Sequence, residues 1–131
     1  MVDANILFSA LIVENVAHRL FFEEEFELYA PEYLLEEFAD HRNEILKKSR
    51  RTEMEFDRAM KIMVSRMRMV PLAEFAAFMD QAIRMSPDKD DAVYFAVALA
   101  IGGAIWSNDK ALKSQQNVKV YSTQELLQMQ G

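Results

Sequence analysis

Asp91-Ala92-Val93-Tyr94-Phe95-Ala96-Val97-Ala98-Leu99-Ala100-Ile101-Gly102-Gly103-Ala104-Ile105-Trp106-Ser107-Asn108-Asp109 is the stretch that decides the fold. Residues 92–101 carry no charge. A helix that is apolar almost all round is buried on most of its sides. Gly102-Gly103 stops it. Residues 104–107 then read as a buried strand, and Asn108-Asp109 as a turn.

The same alternation of helix and short strand extends in both directions. Downstream, residues 110–113 read as a helical turn, residues 118–121 as a last strand and residues 123–129 as a last helix. Upstream, residues 69–72 (MVPL) form a short strand, followed by a helix marked by Phe75, Phe78, Met79, Ile83 and Met85. Residues 86–90 are a loop. Met54, Phe56, Met60, Met63 and Met67 recur at helical spacing. The basic run Lys47-Lys48-Ser49-Arg50-Arg51 reads as the turn before that helix. Residues 26–30 (FELYA) alternate and are rich in aromatics, which marks a strand. Pro31 suits the start of a helix that continues through Leu34, Leu35, Phe38, Ile45 and Leu46. At the front, Ile6, Leu7, Ala10, Leu11, Val13 and Val16 predict one helix up to Leu20. Short strands separated by helices pair in parallel, with helices on both faces. The expectation is a three-layer α/β domain with a central parallel sheet flanked by helices, one domain over residues 1–131.

Composition narrows the function. The chain has 131 residues, 51% of them apolar, with three Gly, three Pro and no Cys. That excludes a disordered chain, a disulfide scaffold, a thiolate metal site and a cysteine nucleophile. No apolar run approaches the ~20 residues of a membrane span, and the N-terminus has no basic signal-peptide region. A cytoplasmic protein is expected. The net charge is −6. Residues 42–68 nevertheless hold nine basic residues against four acids, a local +5 beside −11 elsewhere. The total argues against a nucleic-acid partner, and the local segment argues for one.

Four acids stand where such folds bind ligands, beyond the carboxyl ends of the strands. Asp3 follows the first strand, and Asp109 follows the strand of residues 104–107. Asp91 sits at the mouth of the buried helix. Glu37 lies about two turns into the helix after the second strand. Each has a simpler reading: helix caps for Asp3 and Asp91, a turn residue for Asp109, a solvated side chain for Glu37. Together they read as a hard-cation site, since clustered carboxylates repel one another and oxygen donors suit Mg²⁺ or Mn²⁺. His41, four residues after Glu37, reads as a surface histidine. No serine has a Gly-x-Ser-x-Gly context, and there is no phosphate-binding glycine loop.

In this order the residues resemble the PIN-domain family. Val2-Asp3-Ala4-Asn5-Ile6-Leu7 is similar to its first motif, and residues 31–38 (PEYLLEEF) to its second. Residues 91–100 resemble the third, and residues 105–112 (IWSNDKAL) the fourth. The resemblance implies a metal-dependent nuclease cleaving RNA, with Asp3, Glu37, Asp91 and Asp109 as its acidic set. Glu37 is taken over Glu36 because an apolar residue follows it. Asp91 is taken over Asp90 for its spacing to Ala96 and Ala98. Asp3 and Asp109 would be inner ligands of Mg²⁺ or Mn²⁺. Glu37 and Asp91 would bind a second ion or orient water, with Asn5 and Ser107 in support. Many small members are toxins of VapBC-type pairs and often dimeric, which implies an antitoxin protein as partner and a homodimer. The Met- and Phe-rich residues 54–67 or 75–85 are expected at its interface, since large exposed apolar patches are uncommon on a small domain. In one respect the chain departs from the family: only Met1 and Val2 precede the first Asp, so the central strand is nearly absent.

Three rival readings differ in sequence requirements. A haloacid-dehalogenase-like phosphohydrolase needs a second Asp where Asn5 stands. A receiver-like domain needs an acidic pair beside Asp3. A PIN-like domain that only binds RNA or protein needs neither activity nor metal.

Overall fold

The computed structural model describes residues 1–12 and 16–130. The sheet is organised around a single residue, Val2, which is fully buried. On one side Val2 forms a parallel bridge with Trp106. There the Trp106 N–H donates to the Met1 carbonyl (2.7 Å) and the Asp3 N–H to the Trp106 carbonyl (3.2 Å). On the other side the Val2 N–H donates to the Tyr29 carbonyl (2.8 Å). Tyr29 belongs to β1 (Leu28–Pro31), which pairs in parallel with β2 (Met67–Val70). Trp106 belongs to β3 (Ile105–Trp106), which pairs in parallel with β4 (Val120–Tyr121). Val2 thereby joins two two-stranded sheets in the order β2-β1-Val2-β3-β4. The expected parallel α/β architecture is present, and its central member is the bridge residue Val2.

The helices cover this array. The helical pattern from Ile6 to Leu20 is realised as two helices, α1 (Ala4–Ile12) and α2 (Val16–Phe21). Val13, part of that pattern, lies outside the described residues. Pro31 does not open a helix. It is the last residue of β1, opposite Val70, and Glu32 supplies the N–H that reaches the Val70 carbonyl (3.0 Å). Proline has no N–H to donate, so it sits where a strand ends. The single helix expected after it is two, α3 (Tyr33–Asp40) and α4 (Arg42–Ser49), which meet at His41 (φ −102°, ψ 14°). Leu34, Phe38 and Ile45 still all turn inward.

Most of the basic run is helix rather than turn. Lys47 and Lys48 occupy the last turn of α4, where cations complement the helix dipole. Arg50 (φ 56°) ends that helix in the left-handed conformation. The following helix, α5 (Glu53–Arg66), starts with a reciprocal cap between Thr52 and Glu55. The strand expected over residues 69–72 lies earlier, at β2, because Pro71 ends it and Leu72 opens α6 (Leu72–Phe75). A 3₁₀ turn (Ala76–Phe78) links α6 to α7 (Met79–Met85). α8 (Ala92–Ile101) is the buried helix, with Ala92 and residues 94–98 inaccessible. Gly102 (φ 66°) ends it and turns the chain into β3. A 3₁₀ turn (Lys110–Ser114) and α9 (Thr123–Met129) complete the domain.

Candidate active site

The topology sends three acids to one end of the sheet. Asp3 follows Val2, and Asp109 follows β3 by three residues. Asp91 is the residue just before α8, which runs back along the sheet before the chain re-enters it as β3. Parallel strands finish together, so these positions share the carboxyl end.

Asp3 is buried, 4% exposed. Its carboxylate accepts the Ile6 N–H (2.9 Å) and a hydrogen bond from the Ser107 hydroxyl. Burial raises its pKa above the usual carboxylate range. The Ser107 and Ile6 bonds hold it down, and the Asp109 charge adds to the rise. Asp109 is exposed. Its N–H donates to the Ser107 Oγ (3.1 Å), and its carboxylate accepts the Ala111 N–H (3.0 Å). Ser107, itself buried, thus connects two acids.

Asp91 is half-buried, and its side chain does not cap the helix it opens. Its pKa is raised first by burial and then by the charges of Asp88, Asp109, Asp3 and Asp90. Asp3, Asp91 and Asp109 are therefore close enough for their charges to act on one another. The simpler roles coexist with this arrangement: Asp3 caps α1, and Asp109 caps the 3₁₀ turn that follows it.

Glu37 stands farther out. It is exposed on α3, and its charge acts on the Tyr33 phenol, which the Asp91 charge also reaches. Glu36 is exposed on the same helix. Asp90 is exposed, and its N–H donates to the Asp88 carboxylate. Asn5 is exposed. His41 is exposed and lies 3.5 Å from Glu44.

Sequence reasoning missed the two phenols between these acids. Burial and the charges of Glu37 and Asp91 push Tyr33 up to about 12 against a hydrogen bond with Tyr94. Tyr94 is also raised, mainly by burial. Their signal was available in the spacing. Tyr94 lies three residues after Asp91, and Tyr33 four before Glu37, both on shared helix faces.

The basic segment is not one uniform patch. Arg42 pairs with Asp57, Lys48 with Glu44 and Arg68 with Glu74, while Arg66 donates to the Glu23 carbonyl. Lys47, Arg50, Arg51, Arg58 and Lys61 make none of these pairs. They lie along the end of α4, the turn and α5.

A parallel α/β sheet with carboxylates gathered at its strand ends defines a class of domain whose site offers oxygen donors. Residues 1–130 match the family model of the PIN domain, and the chain belongs to that family. No curated protein and no solved structure matches it. PIN domains are generally nucleases and generally use divalent metal ions. Among the described residues no three acidic or imidazole groups are gathered tightly enough to hold an ion. The chemistry of the donor set does fit one. The donors are carboxylate oxygens, and the charges acting most strongly on Asp3 and Asp91 are negative. Among the described residues no helix is long and apolar enough to cross a membrane.

Proposed function

We propose that this chain is a ribonuclease dependent on Mg²⁺ or Mn²⁺ and the toxin of a toxin–antitoxin pair acting in the cytoplasm. The observation that carries the nuclease reading is the mutual influence of Asp3, Asp91 and Asp109 at the sheet's carboxyl end. Such repulsion is unfavourable unless a cation relieves it. The toxin role follows the resemblance to VapBC-type toxins alone.

Asp3 and Asp109 would hold the ion, with Asp91 and Glu37 holding a second ion or orienting water. When bound, the ion supplies Lewis acidity and an acidified water for in-line attack on the phosphodiester. Ser107 fixes the direction of the Asp3 carboxylate and the backbone at Asp109. Asp91 faces the site with a carboxylate not used as a cap. Lys47, Arg50, Arg51, Arg58 and Lys61 would hold the RNA backbone, a contact that is blind to sequence and weakened by salt.

The test is cleavage of a mixed-sequence RNA by wild type and Asp109→Asn, in Mg²⁺, in Mn²⁺ and in excess chelator. Cleavage is expected in either metal and absent in chelator. Asp109→Asn should cleave far more slowly while folding as well as wild type, since one like charge is removed. The metals should raise the melting temperature of the wild type more than that of the variant. Wild-type cleavage that persists in chelator, matched by Asp109→Asn, removes the metal-nuclease reading. A PIN domain that only binds is then the better account.

A further inference from the structure

Asn108 stands between the two residues that shape this end of the sheet, and the mechanism above gives it no part. Sheet pairing stops just before it. The Ser107 N–H donates to the Tyr121 carbonyl (3.0 Å), and the chain then turns outward through an exposed Asn108 and Asp109. From that point side chains hold the segment.

The Asn108 side-chain oxygen accepts the Thr123 N–H (2.8 Å). Thr123 is the first residue of α9, and the first N–H groups of a helix have no partner within it. The Ser122 hydroxyl takes the Glu125 N–H (3.1 Å), so Asn108 satisfies a different one. On the other side of Ser107, the Trp106 indole N–H donates to the Thr123 hydroxyl (3.0 Å). Thr123 is thus bound by both neighbours of Ser107. Trp106 is buried and Asn108 exposed. The inner bond fixes the end of β3, and the outer bond is the last anchor before Asp109.

The Asp109 carboxylate is oriented locally by the Ala111 N–H. The Asp109 N–H reaches back to the Ser107 Oγ (3.1 Å), a bond between near neighbours that shapes the turn. Leu112, buried three residues on, holds the far end of that turn. At the near end, the Asn108 bond spans 15 positions and attaches the turn to a second element.

We propose that Asn108 is a positioning residue for Asp109: by holding the start of α9 it sets where the Asp109 carboxylate stands to receive a divalent cation. The proposal rests on the reading of Asp109 as a metal ligand. A partner that orients a ligand without touching the ion acts through geometry, and its loss typically costs ~10–100-fold in metal affinity or activity.

The experiment titrates Mn²⁺ into the full chain and follows the free ion by electron paramagnetic resonance. Cleavage of a mixed-sequence RNA and the melting temperature are measured on the same samples. Asn108→Ala removes the acceptor at an exposed position. It should weaken Mn²⁺ binding by on the order of tenfold or more, with a matching rise in the Mn²⁺ needed for half-maximal cleavage. Asn108→Asp keeps the acceptor and should bind the ion at least as tightly as wild type. Ser122→Ala is the control for a general loosening of α9. It removes that helix's own cap and leaves Asn108 in place, so it should lower the melting temperature without changing Mn²⁺ affinity. Mn²⁺ binding by Asn108→Ala within about twofold of wild type overturns the proposal. So does an equal weakening in Ser122→Ala, which makes Asn108 a cap of α9 and nothing more, and so does Asn108→Asp binding as weakly as Asn108→Ala. A wild type that binds no Mn²⁺, or an Asp109→Asn variant that binds it as wild type does, removes the metal reading itself, and this proposal with it.

Discussion

The Ser107 hydroxyl is hydrogen-bonded to the buried Asp3 carboxylate, across two neighbouring parallel segments of the sheet. The same oxygen accepts the Asp109 N–H. A serine at the end of β3 thus sets the geometry of one acid from each segment.

Ser107→Ala leaves the Asp3 carboxylate with one fewer donor. Its pKa should move further up, and the ionised form should cost more to bury. The loss at neutral pH is expected to be about 1–2 kcal/mol, the range of one hydrogen bond to a buried charged group. Cleavage should fall as well. A chemical-denaturation midpoint unchanged from wild type contradicts the role assigned to this hydroxyl.

Asp3 also makes a prediction about pH. Its folded pKa lies above the unfolded carboxylate value, so the folded state binds the proton more tightly. Stability from this group is greatest at low pH and falls as pH rises from the unfolded value, ~3.9, through the raised folded one. Asn can still cap α1. In chelator, Asp3→Asn should match wild type below that window and become progressively more stable above it. Melting curves from pH 3 to 7 measure the difference. A variant advantage that shrinks as pH rises reverses the sign and refutes the burial argument.

Charge at Arg51, Arg58 and Lys61 should appear in the salt dependence of RNA binding. A single-strand contact adds about −0.7 to the slope of log K against log salt. Replacing all three by Gln should flatten that slope by about 2 while leaving the fold intact. An unchanged slope assigns this surface to solvent.

A homodimer is expected through the apolar side chains of α5 to α7. Met54 (71% exposed), Ile62 (48%), Leu72 (63%) and Ile83 (41%) are all accessible, and large exposed apolar groups on a small domain mark contact surfaces. Light scattering at tens of micromolar should give twice the chain mass. Met54 and Ile62 to Gln, compared with Leu72 and Ile83 to Gln, tells which helices meet. A monomeric wild type rejects the dimer.

Much of the fold was legible because its core elements are extreme in pattern. The run from Ala92 to Ile101 has no polar face to leave in water, and Gly102 provides the left-handed residue that ends it. Strand ends at Pro31 and Pro71 were misread by one or two residues. A proline signals that something stops, but not whether the residues before it are strand or the residues after it helix. The break at His41 was not legible either. Leu34, Phe38 and Ile45 keep a helical spacing through it, so periodicity alone joins α3 to α4. At the candidate site, the order of Asp3, Asp91 and Asp109 along strand ends could be read directly, while Glu37 and Tyr33 depended on how α3 packs.

The sequence alone determined which segments must be buried, which residues end them, and that acids follow the strands. These depend on local pattern and side-chain chemistry. Only the tertiary structure decided that Val2 could act as the central strand. One residue has no periodicity to read, and its role comes from hydrogen bonds to Tyr29 on one side and Trp106 on the other. Only the tertiary structure, likewise, brought the Tyr94 hydroxyl to the Ala4 N–H. Such a contact joins residues up to 90 positions apart, and no spacing in the chain encodes it.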